Sequence, residues 1–331
     1  MASSDRTAFI KNILAEMKRI LFTLALCAGL FSCTEKDKKG LPLDTPTSGT
    51  IKIAVDESLK PLIQAEVEGF EGIYPLAHFQ PNYTSEQQAI SDLLKDSVRL
   101  AIVTRKLYST ERSKLDSLKI QGAEIVMAKE GIALITNKQN PDSLLTWKQI
   151  EEIFTGSAKT WNQLFPSSSL GDMQVIFDHP QSGIIRYLTD TLKINNLPPY
   201  CFAVSTNEAV IDRVSKTKNA IGLIGLSWIS DNDDPKANSF LSSIKVVSIK
   251  TDDDYLKPYK AYIFMKKYPL SREVIIISRE ARSGLGSGFI AYAVSDKGQL
   301  IVLKAGLVPA KAPIRLVEVQ RKPLEKITTN Q

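Results

Sequence analysis

The stretch FDHPQSGIIRYLTD, from Phe177 to Asp190, sets a hydroxyl, a glycine and an arginine close enough to act on one ligand. The apolar run MQVIF ends here, and Pro180 cannot continue a ladder. Ser182-Gly183 then opens a helical run, IIRYLTDTL. A local reading has Ser182 capping the helix and Gly183 making the turn. A chemical reading takes the free N–H groups of a helix N-terminus, a hydroxyl and a guanidinium as a receptor for an oxyanion. Arg186 lies one turn after Ser182 on the same face, and long helical side chains lean back toward the N-terminus. Its alternative partner is Asp190, at i+4.

Three other junctions have the same plan. Ser58 follows the buried-type run IKIAV, Thr84-Ser85 follow an extended run ending at Tyr83, and Thr104-Arg105 follow RLAIV. Each precedes a helical segment. In open α/β sheets, ligands sit outside the carboxyl ends of the strands, so four hydroxyl-bearing junctions could converge on one small anion. The Arg105 guanidinium can hold two oxygens of such an anion. Thr104 either donates its hydroxyl or is an ordinary cap, and Lys106 reads as a solvated surface charge.

Other candidates carry less. His78 and His179 are the only histidines, and no Cys/Asp/Glu spacing around them fits a metal, so neither metal nor cofactor is expected. Trp147, Trp161 and Trp228 read as packing residues. The acidic run Asp252 to Asp254 lacks the calcium-loop pattern and reads as a solvated loop. SGLGSG, Ser283 to Gly288, lacks the GKS/T ending of a phosphate loop and reads as a turn before the last long helix.

The elements that must position these residues alternate strand, loop and helix. IKIAV leads to LKPLIQAEVEGF, whose Leu59, Leu62, Ile63 and Val67 recur at helical spacing. RLAIV leads to TERSKLDSL, and GIALITNKQNP to LTWKQIEEIFTG, which Gly156 closes. STNEAVIDRVSK predicts a helix capped within Ser205 to Glu208, AIGLIGLSWIS a buried strand, and GSGFIAYAVSDKGQLIVLKAG a helical run. This alternation predicts an α/β fold with a largely parallel sheet. The chain has 331 residues, 43% hydrophobic and 24% charged, enough for one large or two modest domains. The formal charge of +6 is not gathered into an aromatic-interleaved basic stripe, so nucleic acid is not an expected partner.

The N-terminal region reads as a targeting segment. Residues 1–16 form an extension upstream of Met17 and are set aside. Lys18 and Arg19 precede an apolar run, Ile20 to Leu30, too short for a membrane span. Leu30-Phe31-Ser32-Cys33 resembles the bacterial lipoprotein cleavage box, apart from Phe31 in place of a small residue. The resemblance implies that Cys33 is lipidated and becomes the first residue. Residues 34–49 then form a flexible tether. Cys27 lies in the signal, so Cys201 is the one cysteine left in the body and no disulfide can form within it.

Four segments also resemble the periplasmic phosphate-binding proteins of phosphate ABC transporters. NPDSLLTWKQIEEIFTGSAKTWNQL, TNEAVIDRVSKTKNAIGLIGLSWI and YPLSREVIIISRE…FIAYAVSDKGQLIVLKAGLVP occur in that family's order, and RLAIVTRKL is similar to its segment before the first-lobe switch. The resemblance covers roughly residues 50–310. It implies the two-lobed type II periplasmic-binding-protein fold with a central ligand cleft. Lobe one then takes residues 50–130 and 262–313, lobe two 131–261, and 314–331 are a tail. It also implies a monomer, anchored by lipid on the periplasmic or cell-surface side of a bacterial membrane. Such a protein captures inorganic phosphate and delivers it to ABC permease subunits without enzymatic turnover. Ser58, Thr84, Ser85, Ser182 and Gly183 fall on the family's binding positions. Ile184 stands where the family has Thr, and Asp178 where it has Arg. Arg105 stands where well-known members have an Asp that accepts the ligand's proton. The alternatives are a secreted phosphohydrolase on the same scaffold, or a sensor or adhesion module binding another oxyanion.

Overall fold

The computed structural model describes residues 44–251 and 254–311. The signal segment, Cys33, the tether before Asp44, Asp252-Asp253 and the tail from residue 312 lie outside the described residues.

The first half of the chain runs β1 (Gly49–Asp56), α1 (Lys60–Ile73), β2 (Ala77–Thr84), α2 (Glu86–Leu94), β3 (Leu100–Val103), α3 (Ser109–Ser117) and β4 (Ala123–Asn137). There follow β5 (Leu144–Thr146), α4 (Trp147–Thr155), α5 (Trp161–Leu164), β6 (Gln174–Phe177), α6 (Gly183–Leu192), β7 (Cys201–Ala203), α7 (Asn207–Lys216) and β8 (Ala220–Gly225). The remainder comprises α8 (Pro235–Ser243), β9 (Ile244–Val246), β10 (Ser248–Lys250), β11 (Tyr255–Leu256), α9 (Lys260–Phe264), β12 (Ser271–Ser278), α10 (Leu285–Ala293), α11 (Asp296–Lys304) and β13 (Val308–Pro309). The predicted alternation is therefore present, but the sheet is mixed rather than largely parallel, because β12 and β4 run antiparallel to their neighbours.

The main sheet runs β2-β1-β3-β12-β4-β8-β6-β7. β1 pairs parallel with β2 and β3, and β6 pairs parallel with β7 and β8. β12 and β4 lie antiparallel between these two groups. β4 joins them: its first part pairs with β12 and β13, and its second with β8 and β9. Such a strand must be buried along most of its length, which is why GIALITN reads as a continuous apolar run rather than an alternating one.

The helices are punctuated as the residues predict. Ser85 caps α2 and Ser182 caps α6, each hydroxyl accepting a backbone N–H three residues on. Thr206 is the cap of α7 within the predicted Ser205–Glu208 window. Gly156 closes α4 at φ 84°, a left-handed conformation that glycine adopts without strain. A 3-10 turn, Glu57–Leu59, precedes α1, and Pro61 sits in that helix's first turn, where no N–H partner is lost.

Two details differ from the sequence reading. The run GSGFIAYAVSDKGQLIVLKAG is not one helix but two, α10 and α11. A side chain at Gly298 would meet the backbone of Tyr292 and Ala293 at 2.6–2.8 Å, so glycine lets α11 fold back against the end of α10. The last residues of the segment read as tether also pack on the body. Asp44 accepts the Leu285 N–H at the N-terminus of α10 and binds the Arg282 guanidinium.

Candidate ligand-binding site

The carboxyl ends of β1, β2, β3 and β6 meet the N-termini of α2 and α6, and the predicted residues can be followed one at a time. Ser58 is buried, donates its hydroxyl to Asp56 Oδ1 at 2.7 Å and accepts Arg272 Nη2 at 2.7 Å. The Gly183 N–H donates to Asp56 Oδ2 at 2.8 Å, across 127 residues of sequence. Thr104 donates both its N–H and its hydroxyl to Glu86 Oε2, at 2.8 and 2.5 Å. Arg186 donates Nε to Glu86 Oε1 at 2.5 Å and Nη2 to Thr104 Oγ1 at 3.1 Å. It pairs with Asp190 as well, at 3.2 Å, the partner the sequence offered at i+4. Ser58, Thr104, Gly183 and Arg186 thus lie in one network.

The remaining predicted residues stand at its edge. Ser85 and Ser182 are buried caps whose hydroxyl protons are not used in capping. Thr84 ends β2, half-buried, with no side-chain hydrogen bond to a described residue. Arg105 is largely enclosed, with its guanidinium held by a neighbouring acid. It grips Glu111 through two nitrogens, at 2.7 and 2.8 Å, and lies 3.7 Å over the Tyr108 ring. Its Nε still passes within 3.8 Å of Glu86. Lys106 is exposed. Ile184 is fully buried in the core, which gives the missing threonine a packing explanation.

Much of the site was not foreseen. Arg272, on β12, is buried with Glu130 of β4, donating Nε and Nη2 to Glu130 Oε1 at 3.0 and 2.5 Å. Asn207 donates its N–H and its amide to Glu57 Oε2, and the amide also to Asp178. One signal was available: Arg272 in SREVIIIS and Glu130 in AKEGIALIT are charges inside apolar strands, and an isolated buried charge is too costly to be left unpaired.

Five buried carboxyls, Asp56, Glu57, Glu86, Glu130 and Asp178, thus share this region; Glu86 pairs with Arg186, Glu130 with Arg272, and Glu111 with Arg105. Burial pushes the Asp178 carboxyl up to about 7, aided by the charge of Asp56. It pushes Glu57 up to about 7 as well, against the hydrogen bonds from Asn207. Asp56 and Glu130 are raised by burial despite the charge of Arg272. Glu86 goes the other way: burial would raise it, but the charge and hydrogen bond of Arg186 and the two from Thr104 hold it below the usual range. Oε1 of Glu57, Oδ1 of Asp178 and Oε2 of Glu130 are buried acceptors with no hydrogen-bond partner among the described residues. The arrangement offers strong donors for anionic oxygens and unmet acceptors for a ligand's own protons.

Two glycines allow this closeness. A Cβ on Gly183 would lie 2.5 Å from Asp56 Oδ2 and Thr104 Oγ1 and 2.8 Å from Glu86 Oε2. A Cβ on Gly225 would collide with the Ser58 carbonyl, which also accepts the Trp228 indole N–H at 3.1 Å.

The PBP superfamily domain matches residues 42–297, most of the chain. The chain belongs to the PBP superfamily. Within it, the phosphate-binding protein PstS of Staphylococcus saprophyticus is 25% identical over 211 residues, covering 62% of this chain and 63% of that protein. PstS of a Staphylococcus aureus strain is 26% identical over 219 residues, covering 64% of each. The chain thus spans a little under two thirds of the length of these curated relatives. A substrate-binding protein from Clostridium perfringens with bound phosphate superposes with a TM-score of 0.69 at 24% identity, over 80% of this chain and all of that one. An ABC-type phosphate transport receptor from Vibrio cholerae gives 0.60 at 19% identity, over 79% of this chain and all of its own. The fold of this PBP-superfamily member is accordingly the two-lobed α/β fold of type II periplasmic binding proteins, as the resemblance implied.

Proposed function

We propose that this PBP-superfamily protein captures inorganic phosphate in the cleft between two lobes and delivers it to an ABC permease. The observation that carries this reading is the gathering of the Gly183 N–H, the Thr104 N–H and hydroxyl, the Ser58 hydroxyl and two guanidiniums around the buried carboxylates of Asp56, Glu86 and Glu130, beside unpartnered carboxyl oxygens. A hydrogen phosphate supplies bare oxygens for the donors and a P–OH for an acceptor, whereas sulfate at neutral pH has no proton to give. Asp56, Asp178 and Glu57 supply acceptors that Arg105 cannot. The PstS names of the curated relatives support the same ligand.

In this reading the lobes are residues 50–130 with 262–313, and 131–261, with β4 passing from one to the other. Ser58, Thr84, Ser85, Thr104 and Arg105 serve the ligand from the first lobe, and Ser182, Gly183 and Arg186 from the second. Closure buries the anion and creates the surface a permease reads. Lipid on Cys33 holds the protein, as a monomer, to the periplasmic or cell-surface side of a bacterial membrane. Calorimetric titration of the ligand-stripped chain with phosphate, arsenate, sulfate and molybdate tests the ligand. One-to-one binding of phosphate with no response to sulfate is expected. A response to another oxyanion without one to phosphate would overturn the phosphate assignment.

A further inference from the structure

The donors that an anion needs in this cleft are already in use by the protein itself. The Thr104 N–H and hydroxyl both end on Glu86 Oε2, and Arg186 Nε ends on Glu86 Oε1. These three donors converge on the two oxygens of one carboxylate, whose bite is close to that of two phosphate oxygens. Glu86 also stands at the first position of α2, where a negative charge is favoured by the helix N-terminus. Its side chain is almost fully enclosed, so solvent does little to weaken its hold.

Asp56 occupies donors too, but it has a second task. Its Oδ1 caps the 3-10 turn by accepting the Ser58 N–H, so it is built into the local backbone. Glu86 makes no hydrogen bond of that kind within its own helix. Its contacts reach across to the loop after β3 and to α6.

We infer that Glu86 is an internal competitor for the ligand, a carboxylate that holds Thr104 and Arg186 and must release them before an oxyanion can bind. This rests on the phosphate reading above. Binding is then an exchange of one anion for another, and its net strength is the difference between two similar sets of hydrogen bonds. Removing the internal anion should strengthen binding even though it removes a residue from the site. A residue that served the ligand directly as an acceptor would do the opposite.

The test compares the purified full chain with Glu86→Gly and Glu86→Gln, titrated with inorganic phosphate by calorimetry, with thermal melting of each protein with and without phosphate. Glu86→Gly should tighten phosphate binding by about tenfold or more, the scale of one charge-assisted hydrogen bond freed for the ligand. Glu86→Gln, which keeps the bulk and loses the charge, should tighten it less. Both variants should melt lower than wild type without phosphate and gain more from its addition. If wild type binds phosphate and Glu86→Gly binds it equally or more weakly, Glu86 is a ligand acceptor or a bystander and the inference is overturned while the phosphate reading stands. If all three proteins are folded and none responds to phosphate, the phosphate reading fails and takes this inference with it.

Discussion

Arg272 and Glu130 form a buried ion pair between β12 and β4. Both side chains are essentially sealed from solvent, and each neutralises the other. Replacing such a pair with apolar groups is often tolerated, but removing one member leaves a buried charge alone. Arg272→Met should therefore cost about 3–5 kcal/mol of stability. It also strips Ser58 and Thr104 of a donor, at 2.7 and 3.4 Å. The double variant Arg272→Met, Glu130→Leu should recover most of the loss. Urea denaturation of the four proteins in the cycle checks this; a cost of the double variant equal to the sum of the two single costs would show that the pair carries no coupling. Arg105 gives the contrasting case. Its guanidinium was as chemically suited to an anion as that of Arg186, yet Glu111, six residues on, satisfies two of its nitrogens.

At the scale of an element, α1 carries a residue that its pattern does not accommodate. Leu62, Ile63, Val67 and Phe70 form its buried stripe, and Glu66 lies within it, with both carboxyl oxygens unpartnered among the described residues. Burial raises this carboxyl from 4.5 to about 9. An acid raised on folding binds its proton more tightly in the native state, so stability is greatest below the unfolded value and falls as the pH climbs toward the folded one. Wild type should lose stability relative to Glu66→Gln between about pH 4.5 and 9, at up to about 1.4 kcal/mol per unit. Urea midpoints of both proteins at pH 5, 7 and 8.5, as an order-of-magnitude sampling of that window, give the slope. Parallel pH profiles would mean that Glu66 titrates normally. The helix boundaries themselves were legible because caps are local: Ser85, Ser182 and Gly156 each act within a few residues of their own position.

For the whole molecule, the predicted attachment point lies outside the described residues. Cys33 precedes the described body, whose first described residue, Asp44, is tied to Arg282 and α10. Cys33→Ser should leave folding and phosphate titration unchanged and move the protein from the membrane fraction to the soluble one. Retention of the variant in membranes, or a mature N-terminus elsewhere, would count against a lipid anchor. The joining of the sheet's two parallel groups depends on close approach instead. Gly225 presses on the Ser58 carbonyl, Trp228 donates to it, and Asn207 reaches Glu57. These residues are 150 to 170 positions from their partners where the contacts record it, a distance no local pattern spans.

The sequence by itself determined most of the longer strands and helices, several of their caps and the family resemblance, because hydrophobic period and turn chemistry act over a few residues. It also located four hydroxyl-bearing strand-to-helix junctions. Only the tertiary structure decided which donors meet and what they meet. Thr104 and Arg186 converge on Glu86, Gly183 on Asp56, and Arg272 on Glu130 and Ser58, through contacts 18 to 214 residues apart. A buried charge takes the best partner that the packed elements bring within reach, and that choice is made by the fold after the local pattern has been spent.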